Sequence, residues 1–145
     1  MIYTKLTMKA MKIAYEAHHG QTDKGGMPYI FHPYHLAEQM DDEFSTCVAL
    51  LHDVVEDTDV TLAQLKEVFP QEVVTAVALM THEKGEDYPA YVTRIKSNPL
   101  ARKVKLADLK HNTDETRIPD ADKASLVHFR NKYSEAFQIL EDGEV

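Results

Sequence analysis

Apolar residues recur every three to four positions along nearly the whole chain. Leu6, Ala10, Ile13, Ala14 and Ala17 make one stripe at this spacing, and Leu126, Phe129, Tyr133, Phe137 and Leu140 make another near the end. Such a period brings the apolar side chains onto one face of an α-helix. The β-branched runs are short and no two are joined by a hairpin turn, so strands are not expected. Val73, Val74 and Val77 read as a buried helix together with Leu79 and Met80. Thr61-Leu62-Ala63-Gln64 has the form of a capping box, and Pro70 and Pro99 stand where first-turn prolines belong, the latter after an Asn98 cap. The pattern predicts an all-α fold of about seven or eight short helices, organised as one domain over residues 1–145. Between Gly20 and Phe31 a loop is expected, with Gly25 and Gly26 supplying turn freedom. A loop that starts polar and ends at a histidine suits a substrate rim.

Three segments interrupt this regularity in the same way, by setting a metal-capable side chain into an apolar approach. In Val48-Ala49-Leu50-Leu51-His52-Asp53-Val54-Val55-Glu56-Asp57-Thr58 an imidazole and a carboxylate sit side by side, with two further acids close behind. On a helix, Asp53, Glu56 and Asp57 fall at i, i+3 and i+4 and point at one space. Burying that charge unpaired is costly, and a cation is the simplest partner. The alternative is that Glu56 and Asp57 leave the core at a helix end and stay in water. His32, in Tyr29-Ile30-Phe31-His32-Pro33, and Asp108, in Val104-Lys105-Leu106-Ala107-Asp108, repeat the anomaly. A lone histidine in an apolar run is more often a satisfied core residue than a ligand, but three separate segments share the feature. Two histidines and two aspartates make a mixed nitrogen and oxygen donor set suited to Mn²⁺, Fe²⁺ or Zn²⁺. Mn²⁺ is favoured where waters complete an octahedron.

The order His32, His52-Asp53, Asp108 resembles that of the HD superfamily of metal-dependent phosphohydrolases. Gly20-Gln21, the run from Lys24 to Pro33, the run from Ala49 to Thr58 and Val104-Lys105-Leu106-Ala107-Asp108 narrow the resemblance to the hydrolase domain of the RelA/SpoT homologues. Small single-domain members of that group are the most similar, over Tyr3 to Asn112 and on toward the chain end. The resemblance implies a helical HD bundle in which His32, His52, Asp53 and Asp108 hold Mn²⁺ or another divalent ion. It implies that Glu56 and Asp57 activate or position the attacking water, and that Lys24 and Asn112 line a nucleotide pocket. The implied reaction is hydrolysis of guanosine 3′,5′-bis(diphosphate), ppGpp or pppGpp, with release of the 3′-pyrophosphate. Lys105 and Lys110 flank Asp108 and can steady pyrophosphate charge, or can stand as solvated helix lysines. His35, one turn from His32, and His111, three residues from Asp108, are further pocket candidates. His18 and His19 are expected at the C-terminal end of the first helix, where a cation favours the dipole.

Two positions depart from the family pattern. Asp23 stands beside Lys24 where relatives carry Arg, and Leu109-Lys110-His111 alters the usual basic-then-aromatic order. An anion at the loop is expected to repel a polyanionic substrate and weaken its binding. These departures leave open a different phosphorylated nucleotide, such as a 5′-nucleotide or the 2′-phosphate of NADPH. A non-catalytic alarmone-binding regulatory domain is a third reading, against which the complete set of ligands and acids speaks.

Composition bounds the rest. With 145 residues, 43% of them apolar, the chain can bury a core of its own. The net charge of −8 argues against a nucleic-acid-binding surface, though local cations and a metal can still reverse the field around a small phosphorylated ligand. The expected partner is therefore a phosphorylated guanine nucleotide, with neither nucleic acid nor membrane, and the oligomeric state is open. No apolar run is long enough to span a bilayer, and the first residues lack the apolar core of a signal peptide. The single Cys47 reads as a small core residue. A cytoplasmic location is the expectation.

Overall fold

The computed structural model describes residues 1–142. Among them the apolar spacing resolves into nine α-helices, more than the seven or eight the pattern predicts, and one short 3-10 turn. The expected domain span reaches Val145, and residues 143–145 lie outside the described part of the chain. All-α architecture is borne out: the only strand-like pairing among the described residues is an isolated bridge between Thr22 and Pro28.

Helix α1 (Lys5–His18) begins at a reciprocal cap between Thr4 and Thr7 and buries Ala10 and Ala14, as its stripe predicts. His18 does fall at its end, but buried, and burial lowers its pKa, so it is a neutral ring and not the expected dipole-stabilising cation. Helix α2 (Phe31–Glu38) follows the glycine-containing loop and carries His32 on its inner side. Helix α3 (Glu43–Leu51) starts where the Asp42 carboxylate accepts the backbone N–H of Ser45 at 2.8 Å. Every residue from Ser45 to Leu51 is buried, because α1, α2, α6 and α8 surround this helix. A helix enclosed on all sides needs no polar face, which is why its sequence is apolar from Cys47 to Leu51. Cys47 lies within it, its thiol pushed up to about 12 chiefly by burial.

The chain then breaks at His52 and Asp53 before a single turn, α4 (Val54–Asp57). This break is one reason for the larger helix count. Helix α5 (Leu62–Lys66) opens with the expected Thr61–Gln64 capping box. Helix α6 (Gln71–Met80) buries Val73, Val74 and Val77 as read, but Pro70 occupies the cap position and not the first turn. Helices α7 (Tyr88–Lys96) and α8 (Pro99–Asn112) follow, the latter with Asn98 as cap and Pro99 in its first turn. A 3-10 turn, Glu115–Arg117, leads to α9 (Lys123–Glu141), which packs on α7 and α8 with a half-buried stripe ending at Leu140. No helix among the described residues is long and apolar enough to cross a membrane.

One core cluster runs from Ala10 to Leu140 around α3. Leu50 is 1% exposed at its centre, so truncation leaves a cavity that the surrounding helices cannot fill. Leu50→Ala is expected to cost about 2–5 kcal/mol of stability. A chemical-denaturation midpoint unchanged from the parent chain would contradict this placement of the core.

Candidate metal centre

The break after α3 presents His52 and Asp53 together. The backbone of both stays in the helical region, and the His52 ring and the Asp53 carboxylate meet with Nε2 and Oδ2 2.9 Å apart. The other ring nitrogen of His52, Nδ1, lies 2.7 Å from the Ala49 carbonyl, which can only accept. The proton therefore sits on Nδ1 and leaves Nε2 as the nitrogen facing the centre. That Nε2 is buried and lacks an aligned hydrogen-bond partner, despite its proximity to Asp53 Oδ2 and to Asp108 Oδ1 at 3.4 Å. From α2, His32 brings its Nε2 to 2.8 Å from Asp108 Oδ1, with Asp108 supplied by α8. The Tyr29 hydroxyl donates to Asp53 Oδ2. Ligand atoms of His32, His52 and Asp53 all lie within 4.8 Å of one another.

The electrostatics follow from this crowding. Burial alone would lift the Asp53 carboxyl, but the charge and contact of His52 and the Tyr29 hydroxyl hold it down at about 2. Burial likewise works against the charged form of Asp108, and Lys105, His32 and His52 together keep it well below the usual carboxylate range. Burial opposes protonation of His52, yet the adjacent Asp53 and Asp108 raise its pKa well above the ordinary value. Two buried carboxylates thus draw a proton onto the His52 imidazole between them. A divalent cation fits the same demand: the donor atoms converge, one is an orphaned buried nitrogen, and the mixed donor set suits such an ion.

The two acids of α4 end its single turn, where the Asp57 N–H donates to the Asp53 carbonyl at 3.0 Å. Glu56 accepts the backbone N–H of His82 at 2.6 Å, which ties it to the end of α6. The Asp57 backbone carbonyl is held by Gln21 Nε2 at 2.9 Å, and Gln21 Oε1 in turn meets His18 Nδ1 at 2.8 Å. The Asp57 carboxyl is pushed up to about 6, first by the partial loss of water around it and then by the charges of Asp53 and Glu56. The residue as a whole is exposed, so its acid–base behaviour is open to solvent.

A cavity of about 230 Å³ opens beside His32. Lys24 and Asn112 both line it, as does Tyr29. Asn112 Nδ2 also donates to Asp108 Oδ1 at 3.1 Å, so one residue touches both the centre and the cavity. The Lys24 ammonium lies 3.4 Å from the centroid of the Phe129 ring, a cation–π contact at the cavity wall. A wider groove of about 590 Å³ between α2 and α8 contains none of His32, His52, Asp53 or Asp108, and the smaller cavity is the one joined to the chemistry. Lys105 departs from expectation. Its ammonium is buried and bonded to Asp108 Oδ2 at 2.8 Å, so it neutralises a candidate ligand from behind and does not reach a substrate rim.

Asp23 also behaves differently from the sequence reading. Its Oδ1 accepts the N–H of Gly25 at 2.9 Å and of Met27 at 3.0 Å, and its Oδ2 lies 3.4 Å from Arg117 Nη2. The carboxylate closes the loop and is partly neutralised by a cation from the 3-10 turn, so it is not an open repulsive charge. Gly26 takes φ +81°, which favours glycine. Gly25 is needed for a different reason: a Cβ there would lie 2.4 Å from the Arg117 carbonyl oxygen. Arg117, Tyr29 and the neighbours of His111 are participants that sequence spacing did not single out as one group. The Lys105–Asp108 interval of three was the one visible signal, since i,i+3 residues adjoin on a helix.

Residues 10–115 match the family model described as an HD domain. The chain is 35% identical over 112 residues to the guanosine-3′,5′-bis(diphosphate) 3′-pyrophosphohydrolase of Aquifex aeolicus (strain VF5), covering 69% of this chain and 16% of that protein. It is 32% identical over 123 residues to the bifunctional (p)ppGpp synthase/hydrolase SpoT of Escherichia coli (strain K12), covering 74% of this chain and 18% of that protein. The chain therefore spans about a sixth of the length of these relatives. A solved metazoan orthologue of SpoT, described as hydrolysing ppGpp and playing a role in starvation responses, superposes with a TM-score of 0.84 at 22% identity. That match covers 100% of this chain and 90% of the other, and it shows a shared fold.

The raised pKa of Asp57 has a defined pH signature. The folded chain keeps a proton there that the unfolded chain has lost, so this contribution to stability is complete below the ordinary carboxylate range. It is lost as pH rises through about 6. In protein stripped of metal, the Asp57 carboxyl carbon is expected to titrate near pH 6 by NMR, and a divalent cation should move the midpoint down. A midpoint at the ordinary carboxylate value in the stripped protein would overturn this reading of the local field.

Proposed function

Since the chain belongs to the HD-domain family, we propose that it is a divalent-metal phosphohydrolase of ppGpp and pppGpp that releases the 3′-pyrophosphate. The observation that carries the reading is the convergence of His32, His52, Asp53 and Asp108 beside a cavity that holds Lys24 and Asn112. Relatives of similar sequence bear the names of such hydrolases, and their likeness supports this substrate class. His32, His52, Asp53 and Asp108 would hold the ion, for which Mn²⁺ is our assignment on a mixed nitrogen and oxygen donor set that waters would complete. Such an ion acidifies bound water and offsets charge on a phosphoryl oxygen.

The chain's own groups supply the rest. Asp57, one turn beyond Asp53 on α4, is our assignment for the group that takes a proton from water. Glu56, fixed by the His82 N–H, orients that water or the neighbouring acid. Attack at the phosphorus bonded to the 3′ oxygen breaks that P–O bond and leaves a sugar hydroxyl and intact pyrophosphate. Lys24 and Asn112 bind the nucleotide in the cavity, while Lys105 holds Asp108 in place. A different phosphorylated nucleotide is the second reading, favoured by one observation: Arg117, in the 3-10 turn, provides the cation next to Asp23, so the loop's charge is arranged unlike the basic pair of the family. Pyrophosphate or phosphate release from ppGpp, pppGpp, a 5′-nucleotide and NADPH, each with Mn²⁺ and with chelator, separates the two readings.

Asp53→Ala is expected to abolish both metal retention and hydrolysis with helical content preserved, and full occupancy by elemental analysis would remove Asp53 from the ligand set. Glu56→Gln and Asp57→Asn should keep the ion and lower kcat by about 10²–10⁴. Loss of the ion in both would place these acids in the coordination sphere instead. Asp23→Arg removes the oxygen that accepts two loop N–H groups and sets a cation against Arg117, so KM should rise with kcat less affected. A lower KM in that variant would return Asp23 to the role of a simple repulsive charge.

A further inference from the structure

We propose that His111 is a positioning residue of the metal centre: its Nδ1 accepts the Nδ1 proton of His32 and so keeps His32 Nε2 as the lone pair offered to the cation. This rests on the metal reading above and deepens it. The two Nδ1 atoms are 2.7 Å apart. The rings are inclined by only 4°, yet their centroids are 5.0 Å apart. With nitrogens so close, that separation is reached only when the rings lie edge to edge with the nitrogens between them. The contact is therefore an in-plane hydrogen bond and not a face-to-face stack. Two ring nitrogens can share one proton, so one donates and the other accepts. Once Nε2 of His32 binds a cation, Nδ1 is the only site left for the ring proton, and His111 Nδ1 must be the acceptor.

The same device serves the other candidate histidine, with a different acceptor. His52 Nδ1 is anchored on the Ala49 carbonyl at 2.7 Å. Backbone carbonyls and carboxylates are the usual partners of metal-binding histidines, and they fix both tautomer and ring orientation. In this chain an imidazole does the work for His32. Asp108 and His111 are one turn apart on α8, so a single stretch of helix brackets His32 at both nitrogens, at 2.8 Å and 2.7 Å. His111 is itself held. The His35 ring stacks on it with centroids 4.1 Å apart and a tilt of 22°, and Arg117 Nη1 donates to its backbone carbonyl at 2.8 Å. His35 and His111 thus act together, the first by packing and the second by accepting a hydrogen bond.

The test uses the full chain stripped of metal, with Zn²⁺ as a diamagnetic probe and no nucleotide present. In the Zn²⁺-loaded protein, ¹⁵N NMR should show His32 Nδ1 protonated and His111 Nδ1 carrying a lone pair. His111→Phe keeps a ring under His35 but lacks the acceptor, and it should weaken Zn²⁺ binding by about 10–100-fold. His111→Asn, whose Oδ1 can stand in for Nδ1, should recover most of that loss. The proposal is overturned if His111→Phe binds Zn²⁺ as the parent does, or if both variants lose affinity equally while circular dichroism shows them folded. A protonated His111 Nδ1 in the loaded parent also overturns it, and decides the matter even if His111→Phe does not fold. Failure of the parent chain to bind any divalent ion sinks the metal reading as a whole, and this is distinct from a variant that retains parental affinity.

Discussion

Two carboxylates and two imidazoles meet where α2, α8 and the end of α3 converge, beside a largely apolar core. Asp108 and both histidines are buried, and neither carboxylate could remain ionised there without a positive partner. The chain provides part of the answer itself. Lys105 reaches Asp108 from within the same helix, Tyr29 donates to Asp53, and His52 is driven toward protonation between them. The remaining demand is for a cation facing the nitrogens. Everything else in the molecule can be understood as holding these groups together against their mutual repulsion.

The scaffold does this by enclosure. Helix α3 is surrounded on all sides, so its end is fixed, and a two-residue turn, His52 and Asp53, joins it to α4. The turn directs adjacent side chains into one small space. Helix α8 crosses the same point and carries Lys105, Asp108, His111 and Asn112 within two turns. One face of it therefore carries a candidate ligand, the cation that neutralises it, the partner of His32 and a residue of the cavity wall. Rigidity of this kind suits a metal site, because donor atoms held on packed helices have little freedom to drift from the geometry the ion requires.

The cavity wall, by contrast, is built from loops that brace each other. Asp23 closes the loop before α2 with two backbone hydrogen bonds, Arg117 approaches it from the 3-10 turn, and Gly25 allows the Arg117 carbonyl to come close. Lys24 is thereby presented at the cavity with its ammonium against Phe129 of α9. The metal centre and the cavity are joined through Tyr29, His32 and Asn112, each of which borders both. Variation in the loops can change which ligand fits without disturbing the donors behind them.

Much of this was legible in the amino-acid sequence. Helical period, caps and the absence of strand patterning are local properties, set within a turn or two, and the all-α class followed from them. The donor residues were visible because each breaks an apolar run, and placing charge in a core is costly enough that such breaks carry information. What distant segments do to one another was not legible. The spacing of Lys105 and Asp108 makes them neighbours on a helix but does not say that both face the core, and nothing near Asp23 announces Arg117 across the fold. The bond between His32 and His111 joins residues 79 apart and depends on how α2 meets α8. Side-chain direction, burial and partner choice come from packing between elements, so local sequence determined which groups were available and tertiary structure alone decided which of them face each other.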